Sequence, residues 1–144
     1  MTRKLIKTST NLKLYANNEN EQNIDQDEPD KGLLSPQKFI VTDKKESEIG
    51  TFTLAPMPGC CGLVVSTALF LIQEYRSTPI GKEFMELKEW TPEYLGYSAV
   101  IATVQLENMA ELKSSAKRQY KIIANWRNDR TGNELGIIFK KTNL

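Results

Sequence analysis

Leu63-Val64-Val65-Ser66-Thr67-Ala68-Leu69-Phe70-Leu71-Ile72 is an almost continuous apolar run, and Gln73 to Gly81 follows it as a turn of small and charged residues. A run without alternation predicts a strand buried on both faces, at the centre of a sheet. Beyond the turn, Lys82 to Trp90 places Phe84, Met85, Leu87 and Trp90 at helical spacing, and Thr91-Pro92-Glu93 can cap one more turn. Ala99 to Val104 reads as a second buried strand. Strand, helix, strand is a crossover unit and implies parallel neighbours.

Working outward, residues 3–15 read as one or two short strands, and residues 16–36 as a long, polar, acidic loop. Gln37 to Val41 and Gly50 to Leu54 pair as a hairpin across Lys44-Lys45-Glu46-Ser47. On the C-terminal side, residues 108–119 form a helix with Met109, Leu112 and Ala116 on one side. Tyr120 to Ile123 and Glu134 to Lys140 are strands joined by a tight turn at 128–133. The expected architecture is α/β (α+β): a mixed, mostly antiparallel sheet with helices on both faces, in a single domain over 1–144.

Composition narrows the chemistry. There are 144 residues with 19 Lys+Arg, 18 Asp+Glu, and no histidine. The missing histidine removes Ser-His-Asp and Cys-His catalysis and histidine metal ligands. Two cysteines cannot build a four-thiolate zinc site, and no metal is expected. Cys60 and Cys61 are adjacent, which disfavours a disulfide between them, and they read as buried small apolar groups. No apolar stretch reaches membrane-spanning length, so the chain reads as soluble and cytoplasmic.

Charge is distributed unevenly. Residues 15–50 hold nine acids against four lysines, and residues 108–144 hold eight bases against three acids. The basic third could face an anion, but neither segment interleaves the aromatics of a single-strand binder, so nucleic acid is a weak third reading. The segment Tyr75-Arg76-Ser77-Thr78-Pro79-Ile80-Gly81 is better suited to one. It enters a helix N-terminus, where unpaired amides and the helix dipole favour a phosphate, with Arg76, Lys82, Ser77 and Thr78 in support.

Residues 62–142 resemble the GNAT family of N-acetyltransferases. The family's signature at this loop is Gln or Arg, two residues, Gly, one residue, then Gly or Ala; here it reads Arg76, Pro79 in place of the first Gly, and Gly81. Gly96-Tyr97 through Asn108-Met109-Ala110-Glu111 resembles the family's second core strand and next helix. Residues 125–133 and the strand after them resemble the closing hairpin of bacteriophage-encoded GNAT-like proteins.

The resemblance implies an acetyl-CoA-dependent N-acyltransferase acting on an unidentified amine. It places the pantetheine arm on backbone near Leu71 and Ile72, and the pyrophosphate on the amides of Ser77, Thr78, Ile80, Gly81 and Lys82. Arg76 completes the loop and Asn108 meets the arm from the other side. Gly81→Asp is then expected to abolish CoA binding with the fold intact. A Tyr that the family carries seven residues after the Asn falls at Ser115, and a Gly eleven residues after it falls at Gln119. Ser115, Glu74 and Tyr75 are the catalytic candidates. The family's first two helices have only the acidic loop to correspond to them. The alternative is a catalytically inactive GNAT-fold phage module whose partner is a host or virion protein, in the host cytoplasm. The exposed last hairpin leaves a homodimer open.

Overall fold

The computed structural model describes residues 2–18, 23–25 and 27–144. Glu19 and Glu21, counted in the acidic segment, lie outside the described residues. Eight strands run β1 (Thr2–Thr8), β2 (Leu12–Asn18), β3 (Gln37–Asp43), β4 (Glu48–Pro56), β5 (Leu63–Leu71), β6 (Ala99–Gln105), β7 (Lys121–Arg127) and β8 (Glu134–Lys141). Two helices, α1 (Pro79–Tyr94) and α2 (Met109–Lys117), fill the crossovers after β5 and β6. Short 3-10 turns occupy Pro29–Lys31, inside the expected acidic loop, and Gln73–Tyr75.

The strands form one sheet in the order β1-β2-β3-β4-β5-β6-β8-β7. Every pairing is antiparallel except β5 with β6. The mixed, mostly antiparallel sheet therefore stands as expected. Its core is a stack of aromatics that the register puts together: Phe39 is opposite Phe52 with centroids 5.1 Å apart, and Phe84 of α1 meets Phe52 edge-on at 6.3 Å. Leu87 of α1 and Leu112 of α2 join the same cluster, with Val100, Ala102 and Ile138 beneath them. The two described helices thus share one side of the sheet rather than dividing between its faces. Both crossovers step along the sheet in the same direction, and right-handed connections then place both helices on the same side.

Helix α1 is longer than its apolar spacing suggested. Thr78 caps it, accepting from the Gly81 amide at 3.1 Å, and Pro79 takes the first position, where its missing N–H costs nothing. Pro92 lies inside the last turn, and Thr91 Oγ1 donates to the Leu87 carbonyl there at 2.8 Å.

The expectation of buried thiols is corrected. Cys60 and Cys61 are both exposed, because the Pro58-Gly59 break carries them onto the turn ahead of β5.

Candidate functional site

The apolar run that suggested a doubly buried strand is buried only in its first half. Val64 is fully buried, whereas Leu69 is 40% and Phe70 52% exposed. The cause is the parallel neighbour. β5 and β6 are in register at Leu63–Ala99, Val64–Val100 and Val65–Ile101, and beyond that pair they part. β6 stays with β8 along its whole length, and β5 stays with β4. Against β4, two residues of β5 (Ala68 and Leu69) stand opposite Phe52 alone, with Ala68 at φ 52°. Such a bulge bends the strand and sharpens its twist.

The opened edge is a cleft of about 370 Å³. Ser66 to Leu69 form one wall and Ala102 to Gln105 the other, with Asn108 and Glu111 of α2 at the rim. Lys88 of α1, with Arg118 and Tyr120, closes it on the helix side.

The turn after β5 forms the second part of the site. Arg76 Nε donates to the Leu71 carbonyl at 2.8 Å, the Tyr75 amide to Ile72 O at 3.1 Å, and Thr78 Oγ1 to Tyr75 O at 2.5 Å. Of the five amides expected to meet a pyrophosphate, two are already engaged. Gly81 N–H donates to Thr78 Oγ1, and Lys82 N–H to the Thr78 carbonyl at 3.0 Å. The amides of Ser77, Thr78 and Ile80 have no partner among the described residues. Ser77 takes φ 60°, in the left-handed region, between the extended residues Arg76 and Thr78.

Leu71 and Ile72 do not line the cleft. The Leu71 carbonyl is taken by Arg76, the Ile72 amide donates to Ile49 O at 2.9 Å, and both side chains pack on the core. The strand edge that is open is Ser66 to Leu69, two to five residues before Leu71. Asn108 does line the cleft, and its Oδ1 caps α2 by accepting from Glu111 N–H at 3.1 Å.

None of the three catalytic candidates reaches the cleft wall. Glu74 is exposed in the 3-10 turn, Tyr75 packs against the core, and Ser115 is buried with its hydroxyl donating to Glu111 Oε1 at 3.0 Å. In their place stands an ionic cluster that the sequence did not disclose. Glu89 Oε1 accepts from Lys88 Nζ (3.2 Å), Arg118 Nε (3.3 Å) and Tyr120 Oη (3.1 Å); its Oε2 accepts from Lys140 Nζ (3.0 Å). Arg118 also reaches Glu111 at 3.3 Å. Burial pushes the Glu89 carboxyl up, but Lys88, Lys140 and Arg118 outweigh it and hold the net shift downward. Burial, with the Glu89 charge beside it, raises the Tyr120 phenol far beyond its usual range, so it serves here as a hydrogen-bond donor and not as an acid.

This sheet, mixed and mostly antiparallel with one parallel pair, has the fold of the GNAT N-acetyltransferases. Spermidine/spermine N-acetyltransferase SpeG of Vibrio cholerae superposes with a TM-score of 0.63 at 10% identity, over 75% of this chain and 66% of that enzyme. The ribosomal-protein-S18-alanine N-acetyltransferase of Escherichia coli gives 0.65 at 12% identity, over 77% and 72%. A Desulfovibrio desulfuricans protein assigned to the GNAT family gives 0.65 at 11%, over 74% and 69%. No protein-family model and no curated protein sequence matches the chain. The similar structures lend no support to the bacteriophage resemblance of the closing hairpin, nor to the inactive alternative. Among the described residues no helix is long and apolar enough to cross a membrane.

Proposed function

We propose that the chain is an acetyl-CoA-dependent N-acyltransferase acting on an amine. The observation that carries the reading is the parting of β5 from β6 after Val65 and Ile101, followed by the free amides of Ser77, Thr78 and Ile80 at the start of α1. A thioester arm needs an unpaired strand edge to bond with, and a pyrophosphate needs convergent amides at a positive helix end; β5 and its following turn offer both. The residues present fit the donor, with two reassignments. The arm is assigned to the edge Ser66 to Leu69 in place of Leu71 and Ile72, and the pyrophosphate to three amides rather than five. Lys82, exposed on the first turn of α1, supplements their charge.

Bound there, acetyl-CoA supplies an acyl thioester inside the cleft. The chain's own contribution is placement. Asn108 holds the rim of the cleft, and the two strand walls limit the directions from which the reacting carbon can be approached. The helix-free side, where Thr67, Thr103 and Gln105 are exposed, is the approach for the acceptor amine. Fixing both reactants in this way supplies much of the acceleration expected of acyl transfer. The test is an amide NMR titration with acetyl-CoA. The Ser77, Thr78 and Ile80 resonances should shift together with those of Ser66 to Leu69. Perturbation confined to Cys60, Cys61 and the outer strands would refute the assignment.

A further inference from the structure

Lys88 is a charged residue with 6% exposure on the wall of a cleft, and the function proposed above gives it no task. Among the described residues its amine makes one hydrogen bond, the 3.2 Å contact to Glu89, and otherwise faces the Tyr120 ring at 5.7 Å. The cluster around it carries surplus positive charge: Lys88, Arg118 and Lys140 stand against Glu89 and Glu111. If Lys88 lost its charge, Glu89 would still be neutralised by Arg118 and Lys140, and the cluster would balance. Removing the charge of either other cation would free a stronger anchor, since Arg118 bridges two carboxylates and Lys140 is the one cation bonded to Glu89 Oε2.

We propose that Lys88 is an internal acyl acceptor: the cleft transfers the acyl group of bound acetyl-CoA to the Lys88 Nζ. The inference rests on the acetyl-CoA reading of the cleft. The amine first releases its proton to solvent. Its lone pair then attacks the thioester carbon, a C–N bond forms and the C–S bond breaks. CoA leaves as the thiol, carrying the second proton of the nitrogen, and the product is a neutral amide. Geometry and charge favour the same residue. Burial shifts the amine pKa downward, against the pull of Glu89 and with the push of Arg118. The titratable groups that face it are Glu89 on α1, Glu111 on α2, Arg118 after it, Tyr120 before β7 and Lys140 on β8; β5 and β6 present none. Neutralising the nitrogen also removes the surplus charge from a desolvated site.

The experiment incubates the full chain with acetyl-CoA, or with CoA as control, then reads intact mass and maps acetyl-lysine by digestion. In parallel, the unfolding midpoint is recorded with each ligand. Proximity predicts acetylation of Lys88 at least about tenfold faster than any exposed lysine. The preference should vanish when the chain is denatured first, or when the proton is retained at pH values well below neutral. Lys88→Met, which keeps the length of the side chain without the amine, should lose the single fast acetylation while still gaining midpoint from acetyl-CoA. A midpoint shift with Lys88 unmodified would overturn this proposal and leave the acetyl-CoA reading standing. No midpoint shift and no label at Lys88 would overturn both.

Discussion

The carbonyl oxygen of Tyr75 stands 2.3 Å from the position that a Cβ on Gly81 would occupy, with Leu71 Cδ2 at 3.3 Å behind it. Gly81 is there because the 3-10 turn packs directly against the first turn of α1. Its amide is spent on Thr78, so the residue shapes the loop from beneath. Gly81→Asp is therefore expected to disturb the fold itself, against the expectation from the loop motif alone that the fold would stay intact.

Gly81→Ala should cost about 2–3 kcal/mol of stability, because neither the Tyr75 backbone nor the helix can yield. Denaturant unfolding measures this. A cost under about 0.5 kcal/mol, the range of a neutral surface change, would show that the turn moves freely.

Gln119 occupies the place where the resembled family carries a glycine, and the structure gives the reason: its φ is 75°. It follows Arg118, the C-cap of α2, in the left-handed position that ends many helices. Gln119→Gly should stabilise the chain by about 0.5–1 kcal/mol, the strain relieved exceeding the added freedom of the unfolded chain. A raised unfolding midpoint is the expected reading.

Glu89 is the shared anion of three cations and is well buried, with 13% of its side chain exposed. Glu89→Gln should cost about 2–4 kcal/mol, since it leaves three cations facing Glu111 alone. Lys88→Met, which removes surplus charge, should cost far less. Comparing the two in one unfolding series tests whether the cluster is built around the carboxylate.

Glu83 on α1 fastens the β1–β2 turn. Its Oε2 accepts from Ser9 Oγ (2.5 Å) and from Asn11 N–H (2.9 Å), while its Oε1 accepts from Asn11 Nδ2 at 2.9 Å. Burial raises its pKa, but these donors outweigh that and hold it below the ordinary 4.5. A carboxyl depressed on folding stabilises above its unfolded pKa and loses that contribution as pH falls through the folded one. Stability should thus decline below pH 4.5 partly through Glu83. Glu83→Gln should be weaker by about 1 kcal/mol near neutrality and show a shallower acid slope. Parallel acid slopes for the two chains would contradict the assignment.

What could be read from the sequence follows from what each signal encodes. Apolar runs punctuated by Lys44 to Ser47 and by residues 128–133 announce hairpins, and those pairings formed as read. The run Leu63 to Ile72 is apolar on both sides of Ser66 and Thr67, so the opening of β5 left no clear trace. That opening depends on β6 following β8 instead. The turn proposed to hold a phosphate was legible as a position, yet which amides were free was settled by Thr78, whose capping bonds claim Gly81 and Lys82. The ionic cluster was invisible, since Lys88 and Glu89 look like ordinary helix-surface charges. Arg118 and Lys140 lie 29 or more positions away from them in the chain, and only the sheet order makes them neighbours.

The cleft's assignment to acetyl-CoA is tested most directly by thermal unfolding with and without the ligand. At about a hundred times its dissociation constant, a ligand adds roughly 2.7 kcal/mol. For a domain of this size the midpoint should then rise by about 5–10 °C, with ATP at the same concentration giving no such rise. An unchanged midpoint in acetyl-CoA, or an equal rise in ATP, would contradict the account.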